Sequence, residues 1–179
     1  DSGEACPLGL APTTSTTATI AMGDVLAVAL MESKGFSKTD YKQRHPGGKL
    51  GAVLRKVSDL MHKGDEMPLV SAETSMQDAL LVMTSKMLGC VGIIDDAGHL
   101  KGIITDGDLR RCLQPDVMTK KVSEVMTHNP KTIAPDVLAV EALNTMNNTG
   151  KGITQLFVVE NDKPIGVIHI HDCLRAGVA

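Results

Sequence analysis

The stretch GIITDGDLR, residues 102–110, returns with one insertion as GVIHIHDCLR, residues 166–175. A second pair of similar stretches lies upstream, VSDLM at 57–61 and VSEVM at 122–126. A unit repeated at this distance is one supersecondary module, which is too small to bury its apolar face alone. The two copies are therefore expected to pack against each other. Two packed copies form a pair of related clefts, and clefts of this kind bind small molecules.

The composition is that of a globular protein with few aromatic side chains. Of the 179 residues, 42% are hydrophobic and 22% are charged, with no Trp, one Tyr and two Phe. The ten Met residues, together with Val, Ile and Leu, are expected to fill the core. A net charge of −3 and the lack of stacking platforms argue against nucleic-acid binding. No apolar run approaches the ~18 residues of a membrane span, so no membrane contact is expected.

The cysteines predict a reduced, cytoplasmic protein. Cys6, Cys90, Cys112 and Cys173 are scattered without CxxC spacing, which is typical of small core residues in the cytoplasm. The chain starts at Asp1 without Met and without a signal-peptide pattern. It is interpreted as a piece of a longer protein.

The first 52 residues differ from the repeated part. The hydroxyl-rich stretch TTSTT at 13–17 precedes an apolar stretch from Ile20 to Met31, which predicts a capped helix that ends at Gly35. The stretch HPGGKLG at 45–51 is a loop by its Pro and Gly content. Its glycines can cradle a phosphate, but a hinge between two domains is the favoured interpretation.

Each copy of the repeat predicts the order β-α-β-β-α after a short helical turn. In the first copy, Ser75 and Asp78 form a capping-box pattern before a helix with Met76, Ala79, Leu80, Met83 and Met87 on one face. The other elements of that copy are a turn at 57–61, an extended segment at 67–70, strands at 90–95 and 100–105 around the turn 96–99, and a helix through 113. The second copy predicts a turn at 122–126, strands at 131–133, 154–160 and 165–169, and helices at 137–148 and through 175, with Met146 in the core.

The duplicated unit resembles a pair of CBS domains (cystathionine-β-synthase-type modules). The strand end that runs from Gly102 to Thr105, with Asp108 three residues on, is similar to the Gly-hydrophobic-hydrophobic-Thr-x-x-Asp signature of that family. The resemblance covers residues 53–179. It implies an α/β (α+β-like) fold, a tandem CBS pair with modules at 53–118 and 119–179.

Residues 1–52 resemble the C-terminal end of a SIS (sugar isomerase) domain, through EACPLGLAPTTST at 4–16 and HPGG at 45–48. A SIS end followed by a CBS pair is similar to the sugar-phosphate isomerases that interconvert D-ribulose 5-phosphate and D-arabinose 5-phosphate. Those enzymes supply the precursor of Kdo, a sugar of lipopolysaccharide. Because only the end of the SIS domain is present, the resemblance implies that this chain alone is inactive.

The resemblance also implies a ligand site in the first copy. There Thr105 and Asp108 are expected to hydrogen-bond the ribose hydroxyls of a nucleotide, since a carboxylate reads two adjacent hydroxyls well. The alternative is that the two residues only end a strand and cap the next helix. The second copy keeps Asp172 but carries His169 in place of Thr, which puts its site in doubt or suits it to another ligand. His169 and His171 lack an apparent third ligand, so no metal is expected.

Two residues of the SIS-like end are the catalytic candidates. Aldose–ketose isomerisation moves a proton between two carbons and needs a general base and an acid, which a carboxylate and an imidazole can supply. The resemblance places these groups at Glu4 and His45. The alternative is that Glu4 is a surface charge and His45 a turn residue before Pro46.

The expected function is therefore regulatory. The CBS pair is expected to bind a nucleotide or a sugar nucleotide, such as the pathway's activated product CMP-Kdo, and to act on an isomerase whose substrate is a sugar phosphate. Two alternatives stay open: a sensor of AMP or ATP, and a purely structural dimerisation module. A homodimer or homotetramer is expected because symmetric self-association is common among soluble proteins. No cofactor is expected.

Overall fold

A computed structural model describes residues 3–37, 40–41, 44, 51–52, 54–111, 116–148, 150 and 152–178. It divides into two compact units, Asp1–Pro46 and Gly47–Ala179. The predicted catalytic residue His45 and most of the glycine-rich loop lie outside the described residues, as does Cys112.

The first unit is built around one helix, α1 at Thr14–Ser33. The helix begins within the hydroxyl-rich stretch and is followed by Gly35, whose φ of +60° suits a residue without Cβ. The amide of Phe36 donates to the carbonyl oxygen of Met31 at 2.9 Å and closes the helix end. The predicted start and end of this helix are confirmed, but the prediction of a Ser or Thr cap is wrong: the N-cap residue Thr13 makes no side-chain capping bond, and the Glu4 carboxylate accepts from the Thr13 and Ser15 amides instead.

The helix α1 is apolar on every side. Its large side chains are exposed within the described unit, with Ile20, Val25 and Leu30 between 57% and 67% exposed. By length and composition, it is the one helix in the described part of the chain that is able to cross a membrane, contrary to the expectation that no segment reaches that length. A core helix of a larger globular domain meets the same two criteria, because a helix that is apolar all round is normally buried.

The second unit contains two sheets with helices packed on them. In the first repeat the sheet has the order β1-β2-β3-β4, with β1 and β2 parallel and the other pairs antiparallel. Its elements are the strands β1 Leu69–Ser71, β2 Cys90–Ile94, β3 Leu100–Thr105 and β4 Thr127–His128, and the helices α2 Val57–Leu60, α3 Met76–Lys86 and α4 Asp106–Arg111.

The second repeat forms a three-stranded sheet of order β5-β6-β7, again with one parallel and one antiparallel pair. Its elements are the strands β5 Thr132–Ile133, β6 Gln155–Glu160 and β7 Lys163–His169, and the helices α5 Ala139–Asn147 and α6 Ile170–Arg175. Short 3₁₀ turns lie at Gly64–Glu66, Val117–Thr119 and Val122–Glu124. The predicted mixed α/β fold of two related modules is confirmed.

Helix α3 follows its predicted pattern except at its end. The Ser75 hydroxyl oxygen accepts a hydrogen bond from the Asp78 amide at 3.1 Å, and Met76 and Met83 are buried. The prediction that Met87 shares this buried face is wrong, since its side chain is 87% exposed. The helix ends at Lys86, and Met87 turns into the left-handed region with φ +56°, which points it away from the face.

The first segment of each repeat packs on the other repeat. Val57 lies in the same core cluster as Ala139 and Ile168 of the second repeat. Its amide donates to the carbonyl oxygen of Val137 at 2.8 Å. Conversely, Val122 lies in the core cluster of the first repeat. Each core is therefore incomplete without a segment from the other copy.

The two repeated motifs meet at this exchange. A Cβ added to Gly166 would lie 2.5 Å from the Sδ of Met61, the last residue of the first repeat's VSDLM stretch. A Cβ added to Gly102 would lie 2.3 Å from the Sδ of Met126 in the same way. These glycines give each crossing methionine room to lie on the opposite strand.

The two sheets contact each other through a third cluster, which contains Cys90, Phe157 and Val167. The Phe157 ring lies over Gly92, where an added Cβ would stand 2.6 Å from its Cζ. Burial raises the pKa of the Cys90 thiol to about 12, so this thiol is an unreactive core group. The interface holds the modules together as one unit.

We predict that Gly166→Ala lowers the free energy of unfolding by about 1–3 kcal/mol, because the new methyl group overlaps the Met61 side chain and crowds the backbone oxygen of His62. Urea denaturation followed by circular dichroism measures this. Gly107→Ala is the control, since its Cβ would meet the flexible end of Arg111 at 3.4 Å and the Thr105 hydroxyl oxygen at 3.5 Å, without a close overlap. Equal stability of both variants and the wild-type chain would contradict the packing described.

Candidate ligand-binding cleft

A cavity of about 600 Å³ opens between the two modules beside Thr105 and Asp108. Both repeats contribute to its walls: strand β3 and helix α4 from the first, and the stretch that leads into β6 from the second. Its volume falls in the range of small-molecule sites. The lining residues are Gly89, Ile103, Thr105, Asp106, Gly107, Asp108, Arg110, Arg111, Thr127, Asn129, Pro130, Lys131, Gly152, Ile153, Thr154 and Gln155.

Thr105 and Asp108 are held by a reciprocal cap at the start of α4. The Asp108 Oδ2 accepts hydrogen bonds from the Thr105 amide at 2.9 Å and from its hydroxyl at 2.7 Å. The Asp108 amide in turn donates to the Thr105 hydroxyl oxygen at 3.3 Å. The two residues thus do cap the helix, and they do so on the wall of the cavity. The capping and ligand-binding interpretations are compatible in this geometry.

The second oxygen of Asp108 accepts from Arg111. The distance between Arg111 Nη2 and Asp108 Oδ1 is 2.6 Å, and the arginine side chain is 70% exposed while the aspartate is 12% exposed. Burial raises the pKa of Asp108, but the hydrogen bonds from Thr105 and the contact with Arg111 outweigh it and hold the pKa below its usual value. The carboxylate is therefore charged at neutral pH.

Charged and apolar side chains line the cavity. Arg110, Arg111 and Lys131 supply positive charge, and Asp106 and Asp108 supply negative charge. Ile103 and Ile153 supply apolar surface, and the Gln155 side chain is fixed because its Nε2 donates to the Leu88 carbonyl oxygen at 2.8 Å. This mixed lining suits a ligand with an anionic group and a flat or apolar group.

The corresponding place in the second repeat is occupied by the chain itself. The His62 Nε2 lies 3.1 Å from Asp172 Oδ2, and its Nδ1 lies 3.0 Å from Glu66 Oε2. Asp172 also accepts from the His169 amide at 3.0 Å, so it caps α6 as Asp108 caps α4. His62 was not singled out from the sequence. Its position in the repeat could have indicated it: His62 directly follows VSDLM, as Thr127, which lines the first cleft, directly follows VSEVM.

His169 and His171 stand together at the start of α6. Their ring centroids are 4.9 Å apart, and the His171 amide donates to His169 Nδ1 at 3.1 Å. Burial, with the nearby His171, lowers the pKa of His169, so its ring is neutral at pH 7. Within the described ranges, no group of three His, Cys, Asp or Glu residues is arranged to hold a metal ion.

In the first unit, Glu4 holds the start of α1. Its Oε2 accepts from the Thr13 amide at 2.6 Å and from the Ser15 amide at 3.3 Å. Hydrogen bonds from the Ser15 side chain and the Thr13 amide are the main causes that lower its pKa to about 2. A carboxylate of such a low pKa is a weak base, and Glu4 is placed here as a helix cap. Its catalytic role stays a prediction.

Comparison with known families identifies the class of protein. The CBS domain model matches residues 57–115 and 122–179. The chain therefore belongs to the CBS domain family, with two copies of the domain in tandem.

Curated relatives extend the likeness over nearly the whole chain. Arabinose 5-phosphate isomerase KdsD of Yersinia pestis is 52% identical over 178 residues, which are 98% of this chain and 54% of that protein. The same enzyme of Escherichia coli K12 is 51% identical with the same coverage, and that of Pseudomonas aeruginosa is 49% identical over 179 residues. The chain spans about half the length of the curated relatives it matches.

Solved structures match the CBS pair. CBSX2 in complex with AMP is 26% identical with a TM-score of 0.59, and the match covers 69% of this chain and 96% of that one. The CBS domain pair of MJ0100, in complex with 5′-methylthioadenosine and S-adenosyl-L-methionine, is 24% identical with a TM-score of 0.60. The match with MJ0100 covers 68% of this chain and 94% of that one, and it supports the fold.

We predict that Thr105→Val raises the pKa of Asp108, because it removes the hydroxyl donor that stabilises the charged carboxylate. In the wild-type chain the charged Asp108 stabilises the folded state at pH values above its unfolded pKa of about 3.9. This contribution is lost as the pH falls through the lower pKa that Asp108 has in the folded state. Carboxyl carbon shifts in an NMR titration measure the midpoint. Thr119→Val, at an exposed hydroxyl that bonds a backbone oxygen, is the control. An unchanged Asp108 midpoint in Thr105→Val would contradict the proposed cause.

Proposed function

We propose that the CBS pair is the regulatory part of an arabinose 5-phosphate isomerase, and that it binds a nucleotide or sugar nucleotide in the cleft beside Asp108. The observation that carries the proposal is the charged Asp108 carboxylate on the wall of a 600 Å³ cavity with three cationic side chains around it. The likeness of about 50% to KdsD enzymes over almost the whole chain supports the isomerase assignment.

Ligand binding at Asp108 follows from its hydrogen bonds. A carboxylate offers about four acceptor positions, and Thr105 and Arg111 already use three of them. The exposed Arg111 can turn toward a phosphate, for which its planar guanidinium is well suited. That movement frees Oδ1 for the two adjacent ribose hydroxyls. The nucleotide phosphate is then held near Arg111, Arg110 and Lys131, and its base lies toward Ile103 and Gln155.

The choice of nucleotide has two supported candidates. The similar chain CBSX2 has been solved with AMP, which favours an adenosine nucleotide such as AMP or ATP. A regulatory module of this isomerase is also suited to CMP-Kdo, as the activated product of the pathway that the enzyme feeds. Both ligands carry a ribose and an anionic group, which suit the Asp108 carboxylate and the cationic side chains of the cleft.

We predict that Asp108→Asn weakens AMP binding to the 179-residue chain by roughly 10- to 150-fold, because it removes a charged acceptor worth ~1.5–3 kcal/mol. Asp172→Asn, the matched change in the other repeat, is expected to weaken binding less. Isothermal titration with AMP, ATP, CMP and CMP-Kdo measures both. A larger loss in Asp172→Asn, or no binding of any of the four, would contradict the assignment of the site. The second result would favour a purely structural dimerisation module.

Catalysis is proposed for the full-length protein, which would add the half that the KdsD relatives carry beyond this match. There His45 serves as an acid–base group for proton transfer between the sugar carbons, and Glu4 contributes a carboxylate. The low pKa of Glu4, about 2, leaves His45 as the stronger candidate for proton transfer near neutral pH.

We predict that His45→Ala in the full-length protein abolishes nearly all isomerisation of D-ribulose 5-phosphate while the protein stays folded. The 179-residue chain is expected to be inactive with His45 intact, since the substrate site needs the remaining half. A coupled assay for arabinose 5-phosphate, with circular dichroism as the folding control, measures both. Turnover by the 179-residue chain alone would show that the other half is dispensable.

The protein is proposed to be a cytoplasmic homodimer or homotetramer. Leu81 and Met87 are 66% and 87% exposed on α3 and at its end, which leaves apolar surface for a second copy. Cys6, Cys90 and Cys173 are free thiols, as in a reducing compartment.

We predict a dimeric or larger mass by light scattering at tens of micromolar chain. A monomer at that concentration would count against self-association.

A further inference from the structure

The His62 ring is held between two carboxylates from different parts of the chain. Asp172 lies on α6 of the second repeat, and Glu66 follows His62 by one 3₁₀ turn. A neutral imidazole has one N–H, whereas the protonated ring has two. The contacts of 3.0 Å with Glu66 Oε2 and 3.1 Å with Asp172 Oδ2 are both within hydrogen-bond distance, and the N–H of a neutral ring can serve either of them. His62 and Asp172 are only 31% and 14% exposed, so the cross-repeat contact is partly shielded from water.

His62 is also the far end of a segment that lies along the second module. The segment 54–62 follows the first unit in the chain, and it is the route by which the CBS pair is joined to residues 1–46. The Ala139 amide donates to the Arg55 carbonyl oxygen at 2.8 Å, close to the start of the segment. At its end, His62 and Val167 exchange two backbone hydrogen bonds of 2.9 and 3.0 Å.

The two repeats differ at several of the positions that line the first cleft. Where the first cleft has Thr127 the second repeat has His62, and where the first cleft has the cationic Lys131 the second repeat has the uncharged Pro68. Leu174 likewise corresponds to Arg110. The second repeat thus lacks two of the three cations that suit a phosphate, and its carboxylate contacts the half-buried His62, whereas Asp108 contacts the exposed Arg111.

We propose that the contact between the His62 ring and Asp172, here called the latch, has two effects. It keeps nucleotides from binding at Asp172, and it fixes the segment 54–62 on the second module. The inference rests on the nucleotide site proposed for the first cleft and concerns how that site is regulated. One nucleotide then binds per chain, and the second cleft serves to hold the connecting segment.

A short series of hydrogen bonds leads from the first cleft to the latch. Thr154 and Gln155 line the first cleft, and the Ile170 amide donates to the Thr154 carbonyl oxygen at 2.8 Å. Gln155 is the register partner of His169 between β6 and β7, and the His169 amide donates to Asp172. A ligand that orders Thr154 and Gln155 therefore also orders the start of α6, on which Asp172 holds His62.

Hydrogen exchange by mass spectrometry on the 179-residue chain tests the latch without a ligand. We expect Asp172→Asn and His62→Gln each to speed exchange in the segment 54–62 by about fivefold, as the loss of one partly exposed hydrogen bond implies. Asp108→Asn removes the corresponding carboxylate of the other repeat and is the matched control, with unchanged exchange there. Unchanged exchange in both latch variants would overturn the proposal, and the second variant guards against a folding defect in the first.

Titration with AMP tests the closed second cleft. We expect one AMP to bind per wild-type chain, and we expect Thr127→His to lose that binding because it places a ring opposite Asp108. We also expect AMP to slow hydrogen exchange in the segment 54–62 of the wild-type chain but not of Asp172→Asn. Two AMP per wild-type chain, or equal added protection in both, would overturn the latch. A chain that binds no nucleotide would overturn the proposed function instead, and the ligand-free exchange would still decide the latch.

Discussion

The contact between a methionine of one repeat and a glycine of the other is the constraint on which the rest of the CBS pair depends. Met61 lies on Gly166 and Met126 lies on Gly102, so each copy's first motif is the packing partner of the other copy's signature strand. Val57 and Val122 enter the opposite cores beside these contacts. Because the exchange is reciprocal, neither module has a complete core alone, and the relative position of the two signature strands is fixed.

The fixed relative position of the two signature strands creates the cleft. Strand β3 ends at Thr105, and helix α4 starts at once, so Asp108 returns to cap its own helix at the edge of the sheet. The second repeat closes the other side with the stretch that enters β6. In the second repeat, His62 contacts the corresponding carboxylate, Asp172, and Leu174 stands in the place of Arg110. Two related clefts have thus acquired different chemistry within one symmetric frame.

The local elements could be predicted from the sequence because their signals are local. The strand at 100–105, the cap at Ser75 and the end of α1 at Gly35 each follow from a few neighbouring residues. The same is true of the Thr105 and Asp108 pair, which the repeat marks. The exchange of segments and the contact of His62 with Asp172, 110 residues apart in the chain, depend on packing between copies. Periodicity within one segment does not predict such contacts. Met87 continues the helical pattern of α3 but lies beyond its last residue, and its side chain is exposed.

The central claim is that a nucleotide binds beside Asp108 and leaves the His62 contact in place. A crystal structure of the 179-residue chain grown with AMP tests it most directly. We expect one nucleotide per chain, with its ribose hydroxyls on Asp108, Arg111 turned from that carboxylate toward the phosphate, and His62 still on Asp172. A nucleotide bound at Asp172 with His62 displaced, or an empty cleft at saturating AMP, would contradict the account.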